Sequence, residues 1–262
     1  MYNRILDLYF LKDGMGVKSD LAQFYSKNAA HYHQTRQKFW VDWDKIIEQI
    51  RSLKLEKIKI LELGCGSWRF LDYLKKHYKG DIDYVGIDIA EWMLDFARKE
   101  HPEAKFIAGD MSQLLTSFER ESFDVIVACA SFQHLPQVLE RQRLIDMCYR
   151  LLRYEGLLMM TNWAFSKWFL KKHWRTFVKS GFNFLISLGK QSWRDVFVPR
   201  VGKDSLELRY YHLFSLEELR LLLTNGGFRI KKLSYVDRRG EEVSSWKNSN
   251  NSRFVVVKTI FR

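Results

Sequence analysis

The 262-residue sequence predicts an α/β fold in which a mostly parallel sheet is covered by helices on both faces. Between residues 57 and 161, short apolar runs typical of buried strands alternate with longer segments of helical periodicity. The first three apolar runs each end at or near an acidic residue, and a glycine turn follows the first. Because ligands bind at the carboxyl ends of parallel strands, this pattern predicts a binding site beside those acids and glycines.

The stretch Lys57–Trp68, KIKILELGCGSW, is the centre of this pattern. Its apolar run contains Glu62 and suits a buried strand, and Gly64–Gly66 suits the tight turn before a helix. Because glycine has no Cβ, backbone N–H groups of such a turn can approach a ligand closely. The dinucleotide fingerprint requires glycine at position 69, where the sequence has arginine, so an adenosine ligand without a pyrophosphate fits better.

Two further acids follow the next two apolar runs. Asp88 ends the run Tyr84–Asp88, and an acid at this distance from the glycine turn can accept hydrogen bonds from both ribose hydroxyls. Asp110 follows Phe106–Ala108 and is placed to reach the exocyclic amine of an adenine. These acids predict that a nucleoside lies across the ends of the strands.

Together, the motifs LELGCG, GIDIA and AGDM resemble those of the class I S-adenosylmethionine-dependent methyltransferases, over about residues 57 to 161. The resemblance implies a Rossmann-like, seven-stranded fold with a mostly parallel sheet and an antiparallel last strand. It also implies S-adenosylmethionine as the cofactor. We expect this cofactor to contact Arg36, Trp40, Glu62, Gly64, Cys65, Gly66, Asp88, Ile89, Asp110, Met111 and Cys129.

We interpret residues 1–262 as one methyltransferase domain with four parts. Residues 1–56 form an N-terminal helical cap, and residues 57–161 form the cofactor-binding core. Residues 162–208 form a basic, aromatic insertion after the fifth strand, and residues 209–262 complete the core. In the cap, Lys12–Gly16 is predicted as a loop, with helices resuming near Asp20 and near Phe39.

The last part of the chain is predicted to close the sheet. Ser215–Glu218 forms a capping box, which indicates that a helix begins there. Phe228–Val236 and Phe254–Phe261 are then predicted as two strands of an antiparallel hairpin.

The net charge of +12 indicates a polyanionic partner such as nucleic acid, although a merely soluble basic protein has the same composition. The basic residues and tryptophans are concentrated in residues 162–208, where Asp195 is the single acid before Asp204. Basic residues interleaved with aromatic rings suit single-stranded RNA, because the cations contact phosphates while the rings stack on nucleobases. An amphipathic lid over the site, with solvated lysines, explains the same pattern.

Cysteine usage favours a cytoplasmic protein. Cys65, Cys129 and Cys148 form no Cys-x-x-Cys pair, which argues against a disulfide frame or a zinc site, and no metal is expected. Charges interrupt the N-terminal stretch MYNRILDLYFLKDG, which is not typical of a signal peptide. No apolar run approaches membrane-spanning length, so we expect no membrane partner.

The acceptor is expected next to the segment Cys129–Leu135, which follows the fourth strand. His134 lies in this segment and could hold an acceptor group or take a proton. A histidine with a structural hydrogen bond at the start of a helix is the alternative.

Four further motifs resemble the tRNA wobble-uridine methyltransferases, which convert the carboxylate of 5-carboxymethyluridine to its methyl ester. They are TRQKFW at 35–40, DVFVP at 195–199, RYYHLF at 209–214 and NSRF at 251–254. The resemblance implies that Arg36 and Arg209 hold carboxylates of cofactor or base. It also implies that His134 and His212 position the nucleotide, while Tyr210 stacks or donates a hydrogen bond. It further implies tRNA as a partner and, as in some relatives, a small activating subunit.

The sequence departs from this family at three places. Ser67-Trp68 replaces the usual Asn-Gly after the glycine turn, Gln133-His134 replaces a histidine pair, and Val41 replaces a proline. Two alternatives therefore stay open. One is a methyltransferase for a small carboxylate or phenol, and the other is an inactive scaffold that binds the cofactor or RNA.

Overall fold

The computed structural model describes residues 14–27, 39–40, 43–186, 192–201, 206–249 and 251–258. Nine α-helices lie within these ranges. They are α1 (Gly14–Lys27), α2 (Trp43–Ser52), α3 (Arg69–His77), α4 (Glu91–Glu100), α5 (Met111–Leu114), α6 (Val138–Leu151), α7 (Lys167–Lys172), α8 (Trp174–Ile186) and α9 (Leu216–Asn225).

Ten strands lie in the same described ranges. They are β1 (Lys57–Leu63), β2 (Asp81–Asp88), β3 (Lys105–Ala108), β4 (Phe123–Cys129), β5 (Leu152–Trp163), β6 (Asp195–Val201), β7 (Leu206–His212), β8 (Phe228–Val236), β9 (Glu242–Val243) and β10 (Asn251–Lys258).

The main sheet has the order β3-β2-β1-β4-β5-β10-β8-β9. Strands β1 to β5 pair in parallel, whereas β10 is antiparallel to both β5 and β8. This confirms the predicted Rossmann-like fold with its antiparallel last strand, to which the two-residue β9 is added. The predicted continuation of β10 to Phe261 lies outside the described residues.

The sheet is apolar on both faces, as a parallel sheet between helices requires. Ile58 and Ile60 of β1 pack on the face covered by α2 and α3, and Leu61 and Leu63 pack on the face covered by α6 and α9. All four side chains are fully buried. The carboxyl ends of β1, β2 and β4 therefore have a rigid support.

Helix α1 begins earlier than predicted, since the structure has helix at Gly14–Gly16, where a loop was expected. Val17 and Leu21, one turn apart, are both buried against the β6–β7 hairpin. Glycine favours a loop by about 1 kcal/mol per residue, and burial of these side chains outweighs that preference.

The hairpin of β6 and β7 was not predicted, and β7 crosses the expected boundary between residues 208 and 209. Asp195 pairs with His212, and Phe197 with Tyr210. Because side chains alternate along a strand, Arg209 and Tyr211 share one face of β7, whereas Tyr210 and His212 share the other.

A buried set of polar side chains, Asp195, Tyr210, His212 and Glu218, fixes this hairpin to α9; we call it the His212 network. The His212 ring is 1% exposed, with Nδ1 2.7 Å from Asp195 Oδ1 and Nε2 2.8 Å from Glu218 Oε1. Carboxylates only accept hydrogen bonds, so both ring nitrogens carry protons and the imidazole is cationic. Tyr210 donates its hydroxyl to the same Asp195 oxygen over 2.6 Å.

Charge balance keeps these carboxylates ionised. Burial alone would raise the pKa of Asp195, but the bonds from His212 and Tyr210 hold it below its ordinary value. The pKa of Glu218 is also lowered, by His212, Arg141 and Arg194, against the effect of burial. The helix start predicted at Ser215 is confirmed, because Ser215 Oγ accepts a hydrogen bond from Glu218 N–H. The reciprocal half of a capping box is replaced, because the Glu218 carboxylate binds His212, Arg141 and Arg194.

Trp68 occupies an unusual backbone position directly after the glycine turn. Its φ of 51° lies in the left-handed region, which bulky residues rarely adopt. Its indole is 4% exposed and packs in the core beneath α3, away from the cavity described below. Packing of the indole therefore holds the backbone in a conformation that suits glycine.

We expect Trp68→Gly to destabilise the protein although it relieves this strain. Loss of a large buried side chain costs about 3–5 kcal/mol. Relief of a left-handed non-glycine residue recovers about 1–2 kcal/mol. Urea unfolding should show the net loss, and the control is Glu155→Gly, since Glu155 has φ 60° with an exposed side chain. That control should be neutral or stabilising; a Trp68→Gly variant as stable as wild type would contradict the account.

We expect His212→Leu to lower the free energy of unfolding by about 3–5 kcal/mol, because two buried carboxylates lose their shared cation. Urea unfolding at neutral pH measures this loss. The matched control is His77→Leu, whose ring stacks on Tyr73 at the partly exposed end of α3. Equal, small effects of the two substitutions would show that the His212 network does not hold the hairpin.

Candidate active site

One cavity opens at the carboxyl ends of β1, β2 and β4, and α1 covers it through Lys18, Leu21 and Tyr25. Arg36, one predicted cofactor residue, lies outside the described residues. The other ten predicted cofactor residues all line this cavity: Trp40, Glu62, Gly64, Cys65, Gly66, Asp88, Ile89, Asp110, Met111 and Cys129.

The glycine turn is built differently from the sequence-based expectation. The N–H groups of Gly64 and Cys65 both donate to Ile87 O, over 2.7 and 3.0 Å, and Gly66 N–H donates to Asp88 Oδ2 over 2.8 Å. These amides are thus used within the protein, and the expectation that they approach a ligand is corrected. The glycine at position 64 is needed for space, since a Cβ there would lie 2.3 Å from Ser131 Cβ.

Asp88 braces this turn while lining the cavity. Its Oδ1 accepts a hydrogen bond from Ala90 N–H over 2.9 Å, and its Oδ2 accepts the one from Gly66. Burial raises the pKa of Asp88, and the amide hydrogen bonds oppose that shift. The carboxylate is therefore fixed in orientation at the end of β2.

Glu62 places a protonated acid in the cavity wall. Its side chain is 3% exposed and accepts a hydrogen bond from the Tyr84 hydroxyl. Burial raises its pKa from 4.5 to about 8, although the Tyr84 bond and the Arg69 charge lower it in part. Arg69 also lines the cavity, with its guanidinium 5.3 Å from the Trp43 ring centre. An acid and a guanidinium therefore stand together beside the glycine turn.

Asp110 is held by a lysine that gave no signal in the sequence. Lys18 Nζ of α1 lies 2.6 Å from Asp110 Oδ2 and 2.5 Å from Glu140 Oε1. Asp110 also caps α5 by accepting a hydrogen bond from Ser112 N–H. Burial would raise the pKa of Asp110, but Lys18 and Ser112 hold it below its ordinary value. An adenine amine at this acid would therefore share the carboxylate with Lys18.

His134 is fixed as a neutral ring. Its Nδ1 lies 2.8 Å from the carbonyl oxygen of Tyr210, which can only accept, so Nδ1 carries the proton. Burial lowers the pKa of His134 to about 4, and the Arg209 charge adds to that shift against the Tyr210 bond. The unprotonated Nε2, 3.4 Å from the Tyr25 hydroxyl, is therefore a hydrogen-bond acceptor in the cavity wall.

Arg209 lies among aromatic rings at this end of the cavity. Its guanidinium carbon is 5.0 Å from the Phe24 ring centre and 5.4 Å from that of Tyr211. The rings of Tyr211 and Trp163 stack in parallel, with centres 4.3 Å apart, and both line the cavity. Neither aromatic residue was predicted as a site residue. A strand assignment over residues 209–212 would have indicated Tyr211, because it shares a face with Arg209.

Tyr210 and His212 do not line the cavity, which corrects the expectation that they contact the acceptor. They lie on the opposite face of β7, in the His212 network. The Tyr210 hydroxyl and the His212 ring are used by Asp195 and Glu218. Of the four predicted catalytic residues, His134 and Arg209 are the two that the structure brings into the cavity.

No group of three or more histidine, cysteine, aspartate or glutamate residues suited to a metal ion occurs within the described ranges.

Comparison with known proteins indicates the class of this chain. A family model for a methyltransferase domain matches residues 61–160. A methyltransferase of Encephalitozoon cuniculi is 26% identical over 208 residues, which cover 79% of this chain and 86% of that protein. The ubiquinone/menaquinone biosynthesis C-methyltransferase UbiE of Campylobacter jejuni is 26% identical over 71% of this chain and 77% of its own length.

A third relative, the tRNA (carboxymethyluridine(34)-5-O)-methyltransferase ALKBH8 of Macaca fascicularis, is 26% identical over 57% of this chain and 21% of its own length.

Solved structures share the fold. A SAM-dependent methyltransferase of Methanosarcina mazei superposes with a TM-score of 0.64 at 23% identity, covering 81% of this chain and 97% of its own. A methyltransferase of Haloferax volcanii, solved with the Trm112 methyltransferase activator, has a TM-score of 0.62 at 14% identity and covers 92% of this chain and 98% of its own.

The matched domain spans β1 to β5, the strands whose ends carry Glu62, the glycine turn, Asp88 and Asp110. Acids that can bind ribose and amine groups, beside a turn that contains two glycines, fit a nucleoside joined to an amino acid. The chain is an S-adenosylmethionine-dependent methyltransferase with a Rossmann-like fold.

Proposed function

We propose that this enzyme methylates the carboxylate of a 5-carboxymethyl-type wobble uridine in tRNA. The observation that carries the proposal is Arg209, a guanidinium placed beside the stacked rings of Tyr211 and Trp163 in the cavity. A guanidinium binds a carboxylate through two parallel hydrogen bonds, and an aromatic wall suits a base. The RYYHLF motif that contains Arg209 and the ALKBH8 relative support the same acceptor.

A carboxylate acceptor matches the protonation states in the cavity. When bound, S-adenosylmethionine supplies an electrophilic methyl group. A carboxylate is ionised near neutral pH, so no residue has to remove a proton from it. His134, which is neutral, is then suited to accept a hydrogen bond from an N–H or O–H of the nucleotide, while Arg209 orients the carboxylate.

The pair Glu62 and Arg69 suits the amino-acid end of the cofactor. That end carries an ammonium group and a carboxylate, which match an acid and a guanidinium respectively. Arg69 stands at the position where a dinucleotide fingerprint requires glycine. On this proposal, the residue that excludes a pyrophosphate is also the residue that holds the methionyl carboxylate.

The proposal includes tRNA and a small activating subunit as partners, in a cytoplasmic protein. The net charge of +12 is favourable for tRNA, and a structural neighbour was solved with an activator. The three cysteines are free thiols, as a reducing compartment requires.

A small-molecule acceptor is the second candidate, and the cover over the cavity favours it. Lys18 holds α1 on Asp110 and Glu140, and this closure suits a small acceptor better than an anticodon loop. The UbiE relative belongs to quinone biosynthesis by its name.

The decisive experiment incubates the protein with labelled cofactor and bulk tRNA, followed by nucleoside mass spectrometry. The expected product is the methyl ester of 5-carboxymethyluridine, whose label is released by mild base. The binding of tRNA should weaken steeply with salt, as phosphate contacts require. Transfer to small carboxylates, with no label in tRNA in the presence or absence of an activator, would favour the second candidate.

We expect Arg209→Ala to reduce methyl transfer roughly 10- to 100-fold while sparing cofactor affinity, because charged hydrogen bonds contribute about 1.5–3 kcal/mol. Arg209→Lys should recover little, since an ammonium cannot form the two-pronged contact. Single-turnover kinetics and cofactor calorimetry measure the two effects. Arg229→Ala, at an exposed position on β8, is the control. Equal loss of transfer and cofactor affinity in Arg209→Ala would place Arg209 at the cofactor instead.

We expect cofactor binding near pH 7 to release a proton from Glu62. The free enzyme keeps this acid protonated up to about pH 8, and the cofactor ammonium favours the carboxylate. Calorimetry in buffers of different ionisation enthalpy counts the proton, and Glu62→Gln should abolish its release.

The same group sets a stability trend. Because the folded-state pKa of Glu62 exceeds its ordinary value of 4.5, stability should fall as pH rises from 4.5 to about 8. Glu62→Gln should flatten this part of the melting profile. In the calorimetric experiment, a wild-type enzyme that releases no proton on cofactor binding would show that Glu62 does not contact the cofactor ammonium.

A further inference from the structure

Helix α8 carries a row of exposed apolar side chains. Trp174, Val178, Phe182 and Leu185 are 56, 64, 64 and 71% exposed. Their spacing of four, four and three residues places them on one face of a helix. We call this row the α8 stripe.

The opposite face of α8 fixes the helix to the protein, so the stripe is not the frayed end of a loose segment. Phe177 is buried against Phe165 and Phe169, with ring centres 5.6 and 6.0 Å away. Ser180 donates its hydroxyl to the carbonyl oxygen of Asp195 over 2.5 Å. The α8 stripe is therefore held outward by packing on the β6–β7 hairpin.

Basic residues border the stripe. Lys167, Lys171, Lys172 and Arg175 are all exposed on α7 and the first turn of α8. The sequence has no acidic residue from 162 to 194, and Asp195 is buried in the His212 network. An apolar row beside an uncompensated cationic row is the pattern of a helix that lies in a membrane interface.

We propose that α7 and α8 form a docking surface for a lipid bilayer that contains anionic phospholipids. Tryptophan, phenylalanine and aliphatic side chains of the stripe would enter the boundary between head groups and acyl chains, and the basic row would contact phosphates. This surface is independent of the acceptor proposed above, and it requires no change at the cavity.

The chemistry of the stripe favours a bilayer over RNA. Val178 and Leu185 are the aliphatic members, and neither has a ring on which a base could stack. The neighbouring Trp168 already has two cations near its ring, Lys172 at 4.8 Å and Arg238 at 4.6 Å from the centre. Cations placed over that ring occupy the surface that a base would need.

A second copy of the chain is a poorer occupant than a bilayer. A second copy offers no acid from this region to neutralise the basic row, because residues 162–194 contain none. Anionic lipids instead neutralise that row.

The proposal changes the sequence-based expectation of no membrane partner, which considered spanning length alone. In the part of the chain that the structure describes, no helix is long and apolar enough to cross a membrane. A helix that lies in the interface needs only one exposed apolar face.

Vesicle flotation with the full chain tests the proposal. We expect binding to vesicles of phosphatidylcholine mixed with phosphatidylglycerol, little binding to phosphatidylcholine alone, and weaker binding at high salt. The double variant Val178→Ser/Leu185→Ser should lower the partition coefficient roughly tenfold or more, because it removes two apolar side chains from the interface. The charge variant Lys171→Glu/Arg175→Glu should abolish the preference for anionic vesicles.

Matched controls separate the surface from general effects. Leu139→Ser/Leu221→Ser removes two exposed apolar side chains elsewhere, 68 and 58% exposed, and Arg229→Glu/Lys231→Glu reverses two exposed charges on β8. Both controls should keep vesicle binding within about twofold of wild type. Cofactor calorimetry on every variant should be unchanged, which shows that the fold and the cavity are intact.

Three outcomes would overturn the proposal. The first is that the wild type does not bind anionic vesicles. The second is that the α8 variants and their controls lose vesicle binding equally. The third is that the stripe variant binds vesicles as well as the wild type does. If the wild type binds single-stranded RNA but not vesicles, and the stripe variant no longer binds the RNA, the surface is an RNA site. None of these results depends on whether tRNA is the methyl acceptor.

Discussion

The end of the cavity that Arg209 lines depends on one buried cation, the His212 imidazole held between Asp195 and Glu218. Those bonds fix β7 to α9 and set which side chains of β7 face the cavity. They place Arg209 and Tyr211 inward, and they hold the Tyr210 carbonyl that assigns the His134 proton. A buried ion pair of this kind adds little net stability over an apolar core, but it fixes the orientation of the strand that bears the site.

At the other end of the cavity, the glycine turn is held through its backbone amides. The carbonyl of Ile87 takes both amides of Gly64 and Cys65, and the Asp88 carboxylate takes the amide of Gly66. The glycine turn is thereby tied to the end of β2 before any ligand is bound. A side chain at position 64 would collide with Ser131, which follows β4. The close packing of the turn against this segment therefore requires glycine at 64.

Ten residues that the sequence indicated as cofactor contacts do line the cavity, and the signals of the strand ends among them are local. Glu62, Asp88 and Asp110 each follow an apolar run, and parallel strands bring such ends together. Prediction of the cavity residues near Arg209 needed the β6–β7 hairpin. The many basic residues of 162–208 gave no clear strand pattern for it. The resemblance of RYYHLF implies Tyr210 and His212 together with Arg209, whereas the alternation of side chains along β7 places them on the opposite face. Lys18 had no motif, since its contacts with Asp110 and Glu140 join distant parts of the chain.

Helix α1 contacts both the glycine-turn end and the Arg209 end of the cavity. Lys18 binds Asp110 near the glycine turn, and about two turns later the Tyr25 hydroxyl lies 3.4 Å from His134 Nε2 at the Arg209 end of the cavity. Because an α-helix is stiff, a movement of the α1 backbone at Lys18 would also shift Tyr25 relative to Nε2 of His134. Val17 and Leu21, between or beside these contacts, are packed on the hairpin that the His212 network anchors. The His212 cation that fixes the strand of Arg209 therefore also supports the helix that covers the cavity, so both ends of the cavity depend on the same hairpin.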